Sequence, residues 1–159
     1  MLQVDCYMKK EVISVFATDT VADAAHLFHT HHIGMLPVLD NAGCLVGILQ
    51  LHDLLQLIMP AFVDLIEDID YVGDFGAMEN HEPAQEQLDE PVSKVMEAPT
   101  SVRLDSGLVR AFAYMNKNQL IDLPVVNYDN QLVGLVSRVD IGRPLLASWW
   151  QNVPKHPSA

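Results

Sequence analysis

The run Met35-Leu36-Pro37-Val38-Leu39, the turn Asp40-Asn41-Ala42-Gly43, and Leu45-Val46-Gly47-Ile48-Leu49 followed by Asp53 decide how this chain folds. The same run returns as Asp122-Leu123-Pro124-Val125-Val126, a turn, Leu132-Val133-Gly134-Leu135-Val136 and Asp140. Aligned without gaps, residues 14–54 pair with 101–141. Ten of those 41 pairs are identical: Ser14, Val15, Ala24, Leu36, Pro37, Val38, Leu45, Val46, Gly47 and Asp53. A fixed period means stacked or pseudo-symmetric units. A duplicated unit also implies an interface, and clefts at interfaces are common places for ligands.

Each copy reads as strand, helix, strand, turn, strand, helix. In the first, Val12–Val15 is a short β-branched run. Asp19 or Thr20 can cap a helix whose Val21, Ala24, Leu27 and Phe28 recur at helical spacing. Met35–Leu39 and Leu45–Leu49 are apolar strands, and a helix starts near Leu51. The second copy repeats the order with a strand at Thr100–Val102, a helix at Leu108–Asn118, strands at Leu123–Val126 and Leu132–Val136, and a helix from Arg138. Gly107 replaces Thr20, so Asp105 or Ser106 is the expected cap there.

Between the copies, Phe62, Leu65, Ile66, Ile69 and Val72 share one helical stripe after Pro60. This amphipathic segment is open to three readings: a solvated surface helix, a lid, or a docking helix. Residues 79–90 are polar and acidic, which predicts a mobile linker. The tail from Val153, with two prolines, is expected to fray.

At 159 residues, half of them hydrophobic, the chain is long enough for one core or two small halves. The formal net charge of −12 is concentrated in the connector, because residues 60–90 hold ten acids and no Lys or Arg. Residues 91–159 carry seven basic and five acidic groups. Duplex nucleic acid, bound mainly through its phosphates, is a poor partner for such a chain. No run approaches the roughly 20 apolar residues of a membrane span. The N-terminus lacks the parts of a signal peptide. Cys6 and Cys44 make no disulfide framework, although a single bridge stays open. These features favour the cytoplasm.

The order of elements, the Leu-Pro-Val strand and the Gly-apolar-apolar-x-x-x-Asp ending resemble CBS domains, and two in tandem resemble a Bateman module. The resemblance covers nearly all of the chain outside residues 60–90 and the tail. It implies an α/β fold of two pseudo-symmetric β-α-β-β-α repeats whose sheets pack face to face. The first repeat then spans 1–60, the acidic connector 61–90 with its helix at 61–72, the second repeat 91–150, and the tail 151–159. It further implies a regulatory module that binds an adenosyl ligand such as AMP, ADP, ATP or S-adenosylmethionine between the repeats. No cofactor is required, and a homodimer and a regulated effector protein are the implied partners. The alternative is a ligand-free dimerisation or docking module that uses the acidic helix.

In the second repeat, Ser137 and Asp140 match the family's polar positions. An ionised Asp can accept hydrogen bonds from both ribose hydroxyls. Ser137 lies at a helix start, where free N–H groups suit a phosphate, and Arg138 can reach the same anion. Ser-x-x-Asp is equally a capping box, and both readings can hold. By resemblance, Thr100, Val102, Leu120, Ile121 and Asp122 surround the adenine, although an acid at Asp122 opposes phosphate. The first repeat departs from this pattern: Gln50 stands where Thr or Ser is expected, and Leu51 replaces Arg138. Ile13, Ile33, Met35, Gln50 and Asp53 are therefore expected to form a weaker or empty site.

His26, His29 and His32 can share a helix face, but no Cys or acid stands at convincing metal-ligand spacing. Surface or interface histidines are the better reading, and no metal is assigned. Trp149-Trp150 is read as a cap on the core or on a dimer. No Gly-rich phosphate loop and no nucleophile with a base motif is present, so no enzyme is expected.

Overall fold

The structure, a computed structural model, describes residues 1–59 and 82–154. The helix expected at 61–72 lies outside them. The chain forms two compact units, one of Ile13–Pro99 and the other of Met1–Val12 with Thr100–Ala159. Each contains one three-stranded sheet with helices, a mixed α/β arrangement.

In the unit of Ile13–Pro99, the elements are β1 (Val15–Phe16), α1 (Val21–His31), β2 (Met35–Leu39), β3 (Leu45–Gln50), α2 (Leu51–Leu55) and α3 (Gln85–Leu88). The sheet order is β1-β2-β3, with β1 parallel and β3 antiparallel to β2. Thr20 caps α1 through a capping box with Asp23. The β2–β3 turn closes through Asp40, whose carboxylate accepts from the N–H groups of Ala42 and Cys44. Gly43 takes a φ of 80° there, which suits glycine. Val15, Ala24, Phe28, Leu36, Val38, Leu49 and Val92 form the core of this unit.

The other unit repeats the plan with β4 (Val102–Arg103), α4 (Leu108–Asn118), β5 (Asp122–Val126), β6 (Leu132–Ser137) and α5 (Arg138–Leu146). Its register matches residue for residue: Val38 faces Gly47 as Val125 faces Gly134, and each hairpin slips its register just after that valine. Helices α1 and α4 both end on a left-handed residue, His32 and Gln119.

Four sequence expectations are corrected. The first strands are shorter and shifted, to Val15–Phe16 and Val102–Arg103. Their partners explain this, because Pro37 and Pro124 have no N–H with which to extend the parallel ladder. Helix α4 has Gly107 at its N-cap and no side-chain cap. Leu108 N–H instead donates to the Leu2 carbonyl at 3.1 Å, and Asp105 accepts from the Tyr128 hydroxyl. The stretch expected to be wholly linker contains α3, whose first turn closes on the Ala84 carbonyl. Trp149 and Trp150 lie beyond α5 and are exposed, so they do not cap the core of this chain.

Candidate functional site

The end of β6 and the start of α5 gather most of the residues expected to carry chemistry. Ser137 Oγ accepts from the Asp140 N–H at 3.1 Å, and Asp140 Oδ2 accepts from the Ser137 N–H at 2.9 Å. The capping box is therefore formed, and it occupies only one carboxylate oxygen of Asp140. Asp122 sits beside Ser137 in the β5–β6 ladder. Arg138 is tied to the strand entry: its N–H donates to the Ile121 carbonyl, and its Nε donates to the Leu120 carbonyl at 2.9 Å. The rest of its guanidinium fork makes no hydrogen bond among the described residues. Leu120 is buried and Ile121 exposed. Val102 is buried on β4, and Thr100 is half-buried just before it; no hydrogen bond joins either to this corner among the described residues.

The N-terminal segment completes the corner. Lys9 and Leu135 exchange two backbone hydrogen bonds, of 2.8 and 2.9 Å. Gly134 makes that approach possible, since a Cβ there would lie 3.0 Å from the Lys9 carbonyl and closer still to Met8 Sδ. Burial pushes the Asp122 carboxyl above its ordinary value; the Lys9 charge opposes this and the Asp140 charge adds to it. Cys6, Tyr7, Asp140, Arg143, Pro144 and Trp150 line a groove of about 730 Å³. A second, polar cavity of about 640 Å³, beside Ser106 and Arg110, lies at the opposite end of the strands.

The corresponding corner of the first repeat uses the same backbone and different chemistry. Gln50 N–H donates to Asp53 Oδ2 at 2.8 Å, and Leu51 N–H donates to the Gly34 carbonyl. Met35 is buried opposite Gln50, Ile33 is half-buried and Ile13 is exposed. Where the second repeat has Lys9, the first has Glu97, which exchanges two backbone hydrogen bonds with Ile48. A Cβ at Gly47 would meet the Glu97 carbonyl at 2.9 Å. Gln50 Nε2 donates to Glu97 Oε2 at 2.8 Å. Burial, with a hydrogen bond shared with Glu97, pushes the Asp53 carboxyl up to about 6.

The duplicated corners agree with the comparison to known proteins, in which the CBS domain family matches residues 4–60 and 92–145. The chain belongs to the CBS domain family. An uncharacterized protein of Methanocaldococcus jannaschii is 31% identical to this CBS pair, over 87% of this chain and 88% of that protein. A second from the same organism is 29% identical over 90% of this chain, which spans only 39% of that relative's length. CBSX2 of Arabidopsis thaliana, solved in complex with AMP, is 25% identical and superposes with a TM-score of 0.69, covering 92% of this chain and 98% of that one. No described helix of the CBS pair is long and apolar enough to cross a membrane.

Sequence reasoning missed Lys9, Glu97 and Arg143. A signal for the first two was present. Val4-Asp5-Cys6-Tyr7-Met8-Lys9 and Val92-Ser93-Lys94-Val95-Met96-Glu97 are a further repeat, whose spacing of 88 residues is one longer than that of the gapless alignment. Both segments form a 3₁₀ turn with a fully buried valine, Val4 or Val92.

Proposed function

We propose that this CBS pair is a regulatory module that senses an adenosyl nucleotide through its second repeat. The observation that carries the reading is the corner of Ser137, Arg138 and Asp140 with Lys9 pinned against β6. Asp140 keeps one carboxylate oxygen outside the capping box for ribose hydroxyls. The Ser137 hydroxyl, the remaining guanidinium donors of Arg138 and the positive N-terminal end of nine-residue α5 suit a phosphate. Lys9 offsets the acid at Asp122. The AMP complex of similar CBSX2 supports the same ligand class. In this reading Ile121 and Leu120 lie toward the base, with Thr100 and Val102 behind them. Gln50 and Asp53 hold a weaker adenosyl position or none. Binding regulates by favouring one arrangement of the chain or of a homodimer, and an effector protein reads that change.

Thermal denaturation with AMP, ADP, ATP, S-adenosylmethionine and NADH tests the proposal. A ligand at 100 times its dissociation constant stabilises the folded chain by about 2.7 kcal/mol. The shift is expected with at least one phosphorylated adenosyl ligand and is lost in Asp140→Ala. No shift with any of the five ligands would leave the ligand-free docking module as the better account.

A further inference from the structure

We infer that His52, Asp53 and Glu97 form a site for a divalent first-row transition-metal cation. An imidazole nitrogen and one oxygen from each carboxylate all lie within 4.8 Å of one another. His52 Nε2 stands 3.2 Å from Asp53 Oδ1 and 3.8 Å from Glu97 Oε2. Glu97 is distant in sequence, and its position is set by the main chain. Its N–H donates to the Ile48 carbonyl at 2.8 Å, and its carbonyl accepts from Ile48 N–H at 3.2 Å. Gln50 then orients both carboxylates, giving its backbone N–H to Asp53 and its side-chain amide to Glu97. Such outer contacts fix the direction of metal-binding groups.

The charge balance points the same way. Residues 13–99 contain a single Lys or Arg, Lys94, and it makes no ion pair with Asp53 or Glu97 among the described residues. Two adjacent carboxylates with no cationic side chain against them except an exposed imidazole favour a bound cation. A nitrogen donor beside two carboxylates suits zinc or manganese better than calcium or magnesium, which prefer oxygen alone. Three protein donors leave further positions for water. The histidines of α1 and its C-cap, all exposed, do not form such a group with an acid or cysteine among the described residues.

Calorimetric titration of the chelator-stripped, dialysed full chain with zinc chloride, and separately with manganese and magnesium chlorides, tests this without any nucleotide. Its outcome is thus independent of the adenosyl reading, even though Asp53 figures in both. One equivalent of zinc or manganese is expected to bind, with magnesium at least tenfold weaker. Glu97→Gln, which preserves the side chain's size, is expected to weaken binding at least tenfold, as are Asp53→Asn and His52→Ala. The double variant His29→Ala/His32→Ala is expected to stay within twofold of wild type. Metal should raise the melting temperature of wild type and not that of Glu97→Gln. Absence of binding, unchanged affinity in Glu97→Gln, or loss only in the His29/His32 variant would overturn the inference.

Discussion

The corner at Gln50–Asp53 and the corner at Ser137–Asp140 are the same object in backbone terms and differ in charge: Asp53 and Glu97 leave the first acidic, whereas Lys9 and Arg138 offset Asp122 and Asp140 in the second. Both follow an apolar hairpin with the same slip of register, and both start a helix whose N3 aspartate accepts from the preceding strand residue. A segment from the opposite end of the other repeat's sequence docks on each, over a glycine. The docked residue is Glu97 in one and Lys9 in the other, and the next helix begins with Leu51 in one and Arg138 in the other. Duplication conserved what main-chain hydrogen bonds and close packing require. The side chains that face outward from that frame differ, and the proposed ligands follow that difference: an anion at one corner and a cation at the other.

The largest effects are expected at the aspartates. Asp140→Ala removes charge-assisted acceptors worth about 1.5–3 kcal/mol each, so AMP affinity is expected to fall about 100-fold by calorimetry. Asp53→Ala is expected to change it less than about threefold, close to the measurement's own scatter in free energy. Next come the glycines. Gly134→Val and Gly47→Val each place side-chain atoms where Met8 or Met96 and a carbonyl already sit. Each is expected to cost about 1–3 kcal/mol in urea denaturation, as overpacking does. Gly134→Val should also weaken AMP binding, and Gly47→Val should not.

Charge reversal at the docked residue sharpens the contrast. Lys9→Glu gives the second corner the sign of the first. AMP binding is expected to weaken about tenfold at low salt, an effect that narrows as added salt screens the exposed charge; adenosine binding should be nearly unaffected. The smallest effect is at Asp122. Its folded pKa is raised, chiefly by burial, so the folded chain holds that proton more tightly than the unfolded chain. Stability from this group is present below the unfolded pKa and is lost as pH rises through the folded one. Asp122→Asn is therefore expected to stabilise the chain at pH 7 by up to about 1 kcal/mol, since the group is partly solvated. It should also flatten the decline in stability as pH rises above the ordinary carboxylate value.

The hairpins, α1 and α4 were legible because their signals are local. Continuous apolar strands flank a turn, and Ala24 and Ala111 recur at core positions of two equal helices. The second corner was legible in part for the same reason: Ser137, Arg138 and Asp140 lie within four consecutive residues. Lys9 and Glu97 were not found, because each reaches its corner through backbone pairing with a strand far away in sequence. The added residue in the spacing of their segments also broke the gapless register. The histidines drew attention by clustering in the sequence. The one metal-competent group among the described residues instead joins a single histidine to acids on two separate segments. The first strands were misplaced because their length is set by the prolines of their partners rather than by their own β-branched residues.

If one scaffold carries two unequal sites, the stoichiometry of AMP binding by titration calorimetry shows it. The prediction is one AMP per chain, lost in Asp140→Ala and retained in Asp53→Ala. Two equivalent AMP molecules per chain, or one that disappears only in Asp53→Ala, would contradict it.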